Sequence, residues 1–338
     1  KGRTTEDRMD DFELTTEMRD EQRAAWHRYL DRVTPFRPLL HGYCHKLTRN
    51  LWDAEDLAQE TLLRGFHHLS THHDPIRSAR AYLLRIATHA WIDTVRKREM
   101  ESTALAAGEL ETPAPAPEPG VARDAGRRLL ERLAPRERAA VILKDLFDLS
   151  LEDTAVVLET TVGAVKSALH RGRERLRETE DSQTVRRAQP SPELLDRFVA
   201  LYNAQDQAGL VELVLANATI SNVGVGQQYG EESLVGEKSW LVRSLAGHPD
   251  WPAVFQYEAQ RAEAAEVDGE RVMLVHRTRN GEEALEGVTR FEEEDGRVAG
   301  ILSYSFCPET IRAVGEALNI PVRTGLYRYP TREPGVSW

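Results

Sequence analysis

The chain has 338 residues, of which 29% are charged and 41% hydrophobic, and its formal net charge is −11. This length allows two or three domains, and the balance is that of a globular protein rather than a low-complexity one. No apolar run approaches the roughly 18 residues of a membrane span and no charged-then-apolar leader opens the sequence, so a cytoplasmic protein is expected; Cys44 and Cys307, far apart and without a CxxC, exclude a disulfide framework.

The acid is not spread evenly. Residues 191–338 carry 23 acidic against 13 basic side chains, whereas the preceding part holds 32 against 31. A near-neutral part with locally basic helices is therefore joined to an acidic part that could screen those helices or repel nucleic acid.

Residues 1–17 are polar and aperiodic and read as a disordered lead. A helical module is expected over 18–100. It starts with a helix from Met18 to Val33 that Pro35 ends, and two helices follow between Phe36 and Leu69. In the second of these, Asp53, Glu55, Asp56, Gln59 and Glu60 crowd the N-terminal half, where acids favour the positive helix end. The stretch around His72, His73 and Pro75 is a loop by composition. Ala79 to Glu99 is then a helix with Tyr82, Leu83, Ile86, Ala87, Ala90 and Trp91 apolar and Arg96-Lys97-Arg98 at its end. The histidines at 41, 45, 67, 68, 72 and 73 include i,i+4 pairs that could start a ligand set, but no CxxC accompanies them, so solvated polar surface is expected there rather than a metal site, and no cofactor is called for.

Residues 101–122, with TPAPAPEP, are a Pro/Ala/acid linker. A second helical module is expected over 123–180, with helices near 124–134, 136–146, 151–159 and 162–178. Ser150 with Asp153 has the pattern of a capping box, and Glu159-Thr160-Thr161 supplies a turn and the next N-cap. In the last helix Val162, Val165, Leu169 and Leu176 make one apolar stripe. Stepping about 100° per residue then turns Gly163, Ser167, His170, Arg171 and Glu174 outward, flanked by Lys166, Arg173 and Arg175. Small residues at the entry and hydrogen-bonding or basic ones outward suit a DNA major groove. A plain helical hairpin with a solvated basic face has the same pattern.

Residues 181–190 are a hinge. From 191 to 338 two helices, at Leu194–Tyr202 and Ala208–Leu215, precede alternating runs at 218–225, 254–259, 271–277, 285–292 and 298–304. Helices followed by antiparallel-type strands predict an α+β sheet curled around a helix, and the Pro-rich tail from Phe306 holds one helix at most. Tyr202, Asn222, Trp240, Trp251 and Tyr304 could line a cavity, and Asp206 and His276 are thin candidates for acid/base work, so no enzymatic activity is expected.

Stretches in both helical modules carry a family resemblance. Leu133-Ala-Pro-Arg-Glu-Arg-Ala-Ala-Val-Ile-Leu143, Ser150-Leu-Glu-Asp-Thr-Ala155 and Val162-Gly-Ala-Val-Lys-Ser-Ala-Leu-His-Arg-Gly-Arg-Glu-Arg-Leu176 resemble region 4 of extracytoplasmic-function sigma factors. The resemblance implies that Lys166, Ser167, His170, Arg171, Arg173 and Arg175 read the −35 promoter element, with Ala168 standing where relatives usually carry Arg. Asp53-Ala-Glu-Asp-Leu-Ala-Gln-Glu-Thr61 resembles region 2.2, which implies that Asp53, Glu55, Asp56, Gln59 and Glu60 grip the β′ clamp helices of RNA polymerase core. Tyr82-Leu-Leu-Arg-Ile-Ala-Thr-His-Ala-Trp-Ile-Asp-Thr-Val-Arg96 resembles regions 2.3 and 2.4, which implies that His72, His73, Arg77, Arg85, His89, Arg96 and Lys97 hold the opened −10 element.

More faintly, Phe198-Val-Ala-Leu-Tyr-Asn-Ala-Gln-Asp and the strand order resemble SnoaL-like domains of the nuclear-transport-factor-2-like superfamily. In sigma factors with such a fused domain, the extra domain contacts regions 2 and 4 and modulates activity. The same residues also leave room for a one-component helix-turn-helix regulator that senses a small ligand, and for a DNA-binding fusion to a SnoaL-like isomerase or hydrolase.

Overall fold

The structure is a computed structural model, and it describes residues 16–71, 76, 78–106, 133–176, 189–229, 239–241, 245, 256–325 and 327. Most of the expected lead and linker, the hinge up to residue 188, Trp251 and the last eleven residues lie outside these.

Four helices form the first module: α1 Thr16–Val33, α2 Arg37–Thr48, α3 Leu51–Thr71 and α4 Ala79–Ala106. The last outruns its expected end at Glu99, because Glu, Ala and Leu in ESTALA favour its continuation and the first Pro comes only at 113. Asn50 starts α3, its side-chain oxygen accepting from the backbone N–H of Trp52 at 3.0 Å and of Asp53 at 2.9 Å.

The second module holds α5 Pro135–Val141, which continues as a π-helical turn over Ile142–Leu146, then α6 Leu151–Val157 and α7 Val162–Arg175. Ser150 and Thr161 cap α6 and α7 through the N–H groups of Asp153 and Ala164, at 2.9 and 3.2 Å. Thr161→Ala should therefore lower unfolding free energy by about 1 kcal/mol; an unchanged midpoint in chemical denaturation would remove the cap from the account. Val165, Ala168, Leu169 and Gly172 turn α7 inward. At Gly172 a Cβ would meet Val141 Cγ2 at 2.9 Å, so the glycine sets how closely α7 crosses α5.

The two helical modules share one hydrophobic core, with Leu83, Ala87 and Trp91 of the first packed with Ala139, Ile142 and Leu169 of the second. Arg138 of α5 donates to the Leu47 carbonyl at 3.0 Å and covers the Trp91 ring at 5.2 Å, while Phe147 meets Tyr43 edge-on at 5.6 Å.

The third unit is the expected α+β domain: α8 Pro192–Asn203, α9 Gln207–Leu213, a six-stranded sheet and α10 Pro308–Leu318. The strands are β1 Val214–Asn222, β2 Gly226–Tyr229, β3 Ala259–Val267, β4 Glu270–Arg279, β5 Glu282–Glu294 and β6 Arg297–Ser303, in the order β2-β1-β6-β5-β4-β3. One pair, β1 with β6, is parallel, so the sheet is mixed rather than wholly antiparallel. Another correction concerns the strand expected at 254–259. Gln256, Tyr257 and Glu258 lie outside any strand and β3 begins at Ala259, because pairing with β4 across nine residues overrides the poor β-propensity of AQRAEAAEV.

The sheet buries both faces. One carries Met273, Val275, Phe291 and Ile301 against Leu195, Phe198 and Tyr202 of α8. The other carries Val272, Leu274, Leu285 and Val288 against Ile311 and Val314 of α10, and this second core also takes in Leu51 and Trp52 from the start of α3. Tyr304, expected in a cavity with Tyr202, lies on this second face, with its ring 5.3 Å from that of Trp52.

Candidate nucleic-acid interface

On α7, Lys166, Ser167, His170, Arg171, Arg173 and Arg175 are all exposed, as the apolar stripe requires. They are not loose charges. Glu137 of α5, itself buried, receives Arg171 Nε at 2.9 Å and also pairs with Arg175, while Arg173 donates Nε to Asp145 at 3.0 Å. These carboxylates orient the guanidinium groups, and sequence spacing gave no sign of them because the partners lie 28 to 38 residues away. Lys166, His170 and Arg173 edge an open groove of 490 Å³ that Lys144 completes. Ala168 is 7% exposed and faces the core.

On α4, Arg85 and His89 share one face, and each lies 3.7 Å from a carboxylate oxygen of Glu159 in the turn between α6 and α7. The face expected to hold an opened strand is thus occupied by an acidic residue of the second helical module. Arg96 and Lys97 lie further along α4 and are exposed. His72, His73 and Arg77 lie outside the described residues.

The acidic cluster on α3 divides. Asp56 is exposed, Asp53, Gln59 and Glu60 are half-buried, and Glu55 is 0% exposed. Asp53 lies 3.4 Å from Arg98, and Glu60 makes the i,i+4 pair with Arg64 at 2.7 Å. Glu55 pairs with Arg37 and accepts from Gln59 of its own helix and from Thr310 of α10 at 3.0 Å. Arg37 Nε also lies 3.5 Å from Glu309, and its guanidinium stacks over the Tyr327 ring at 4.8 Å. Beside this knot the Leu51 N–H donates to Asp268 at 2.8 Å, and Arg290 covers the Trp52 ring at 5.2 Å. The β1–β2 turn touches Gln59 so closely that a Cβ on Gly224, which sits at φ +78°, would fall 2.7 Å from its amide.

Burial alone would raise the pKa of the Glu55 carboxyl, yet Arg37, His41 and the two hydrogen bonds hold it below its ordinary value of 4.5. His41, expected as solvated surface, is buried 3.5 Å from Glu55, and burial holds its pKa below 6.5. The neutral imidazole belongs to the packed state, so His41's contribution to stability is present above about pH 6.5 and is lost as pH falls through its depressed pKa. Glu55's contribution is present above 4.5 and is lost only on further acidification. Between pH 7 and 5 the melting temperature should accordingly fall more steeply in the wild type than in His41→Asn; parallel curves would discard this role for His41.

Among the described residues no group of three or more His, Cys, Asp or Glu is placed to hold a metal ion, and no helix is long and apolar enough to cross a membrane. The weak acid/base candidates have structural partners: Asp206 caps α9 through the Gly209 N–H at 3.0 Å, and buried His276 pairs with Glu263 at 3.0 Å.

The chain thus folds as a capped helix-turn-helix, a four-helix module whose α4 carries Arg85, His89, Arg96 and Lys97, and a sheet domain that covers part of α3. Residues 32–100 match the sequence family Sigma-70 region 2, and residues 124–176 match Sigma-70 region 4. The ECF RNA polymerase sigma factor SigG of Mycobacterium tuberculosis (strain CDC 1551 / Oshkosh) is 33% identical over 237 residues, covering 59% of this chain and 61% of that one. The RNA polymerase sigma-E factor of Streptomyces coelicolor is 35% identical over 130 residues, 37% of this chain and 71% of that one. Among solved structures, the extracytoplasmic-function sigma factor SigJ of M. tuberculosis aligns over 81% of this chain and 95% of its own, at 21% identity and a TM-score of 0.31. The chain belongs to the extracytoplasmic-function group of the sigma-70 family. It spans about three fifths of the length of the first curated relatives it matches, 61% for SigG.

Proposed function

We propose that this chain is a sigma factor that directs RNA polymerase core to specific promoters in the cytoplasm, and that its SnoaL-like sheet domain holds it in a low-activity state. In this reading Asp53, Glu55, Asp56, Gln59 and Glu60 meet the β′ clamp helices, the α4 residues with His72, His73 and Arg77 hold the −10 element, and the α7 residues read the −35 element. The protein works by binding and is not an enzyme. The observation that carries the autoinhibitory part is Glu55: a carboxylate of the proposed polymerase-binding cluster has no exposed surface, with Thr310 of α10 hydrogen-bonded to it and Glu309 of α10 beside its partner Arg37.

The two helical modules support the same reading. Promoter elements more than one turn of DNA apart need them separated, whereas here Glu159 sits on Arg85 and His89 and the modules share a core. The sheet domain's hydrogen bonds and ion pairs described above run to α2 and α3, so the proposed hold acts through region 2, and region 4 is held in turn by region 2.

Run-off transcription with purified core polymerase on a promoter library tests both parts. A chain ending at residue 180 should give more promoter-dependent transcript than the full chain. Equal or lower activity from the shorter chain, with its helical circular dichroism intact, would reject autoinhibition; failure of both chains to associate with core polymerase would reject the sigma-factor reading.

A further inference from the structure

The sheet domain carries a cluster that none of these surfaces uses. Between Leu285, opposite His276, and Gly287, opposite Val275, β5 holds one extra residue, Glu286. Such a bulge re-aims a side chain, and three arginines converge on this one. Arg279 donates Nε and Nη2 to the two carboxylate oxygens at 2.8 Å each, Arg323 donates Nη1 at 2.6 Å, and Arg277 Nη1 lies 3.6 Å away.

Three guanidinium groups around one carboxylate leave two positive charges in excess, on side chains only 15% exposed for Arg277 and 18% for Arg279. Two nearby acids are engaged elsewhere, Glu283 being held by Arg261 through both oxygens and Glu258 accepting from the N–H groups of Asn280 and Gly281, while Glu282, opposite Arg279, is exposed. Strand alternation puts Arg277 on the face of Met273 and Val275, the side covered by α8. Its guanidinium lies 5.1 Å over the Tyr257 ring. Two donors are left over there: among the described residues, Arg277 Nε and the Tyr257 hydroxyl are buried without a hydrogen-bond partner.

We infer that Arg277, Arg279 and Arg323, with Tyr257, form a binding site for a small molecule bearing a doubly charged oxyanion, a phosphate monoester or a dicarboxylate. The charge supports this, since a dianion cancels the excess that Glu286 leaves. The geometry agrees, since planar guanidinium forks match carboxylate and phosphate oxygens in pairs. The spare Arg277 Nε and Tyr257 hydroxyl supply two further hydrogen bonds. Glu286 acts as an internal competitor that keeps the arginines oriented when the site is empty.

Thermal-shift titration and calorimetry on the full chain test this, with inorganic phosphate and succinate as probes and chloride at matched ionic strength as control. Phosphate or succinate should raise the melting temperature saturably while chloride does not, and whichever binds identifies the source. Arg277→Gln should weaken binding about tenfold or more. Glu286→Gln should strengthen it, because the forks lose their internal partner. If the cluster is only a structural ion-pair network, Glu286→Gln will lose stability and gain no affinity. That result, or probes that do no more than chloride, or Arg277→Gln binding like the wild type, overturns the site. No polymerase enters the experiment, so its failure leaves the transcription reading standing.

Discussion

Replacing Arg37 with alanine is expected to cost about 3–5 kcal/mol of unfolding free energy, the usual penalty for stripping the partner from a buried charge. Arg37 is 4% exposed and Glu55 is 0% exposed, so the carboxylate left behind would have neither water nor a full positive charge beside it. Burial works against the charge on Arg37 as well, yet Glu55 and Glu309 raise its pKa, which marks the pair as mutually dependent. The double variant Arg37→Met, Glu55→Met should recover much of the loss, since apolar groups of similar volume replace a buried ion pair at little cost. Urea denaturation of the single and double variants decides the matter: a single-variant loss below about 1 kcal/mol, the range of an exposed pair, would show that water reaches this site.

Trp52→Ala is the second large effect. The indole is fully buried between Tyr304 and Arg290, in a core that the first helical module and the sheet domain build jointly. Truncating a buried aromatic to Ala costs about 3–5 kcal/mol. The location of that loss is the informative part. In the full chain it should appear as separation of the sheet domain from α3 together with lowered stability. In a chain ending at residue 180, where Tyr304 and Arg290 are gone, the same substitution should cost far less. Equal losses in the two chains would place the indole's packing within the helical module and remove it from the interface.

Much of the helical architecture was legible because its signals are local. Ser150 and Thr161 cap through N–H groups three residues on, and the stripe of Val162, Val165 and Leu169 settles which way α7 faces. Interactions within one or two turns are written into spacing. Strand β3 lies further along the chain than the residue pattern indicates, for the converse reason. AQRAEAAEV has little β-propensity of its own and is a strand because β4 offers nine partners to it.

Residue order and spacing set out two helical modules, a basic outward face on α7, an acidic α+β domain, and an acid-rich start to α3. Tertiary structure alone decided that Glu55 is buried rather than solvated, that Arg85 and His89 face Glu159, and that Arg277, Arg279 and Arg323 meet on one bulged glutamate. The physical reason is distance along the chain. The hydrogen bond from Thr310 to Glu55 joins residues 255 apart, and Arg323 reaches Glu286 across 37. Residue type and periodicity carry no record of which distant side chain will arrive, and desolvation by that arrival is what turns an ordinary surface charge into a buried, partnered one.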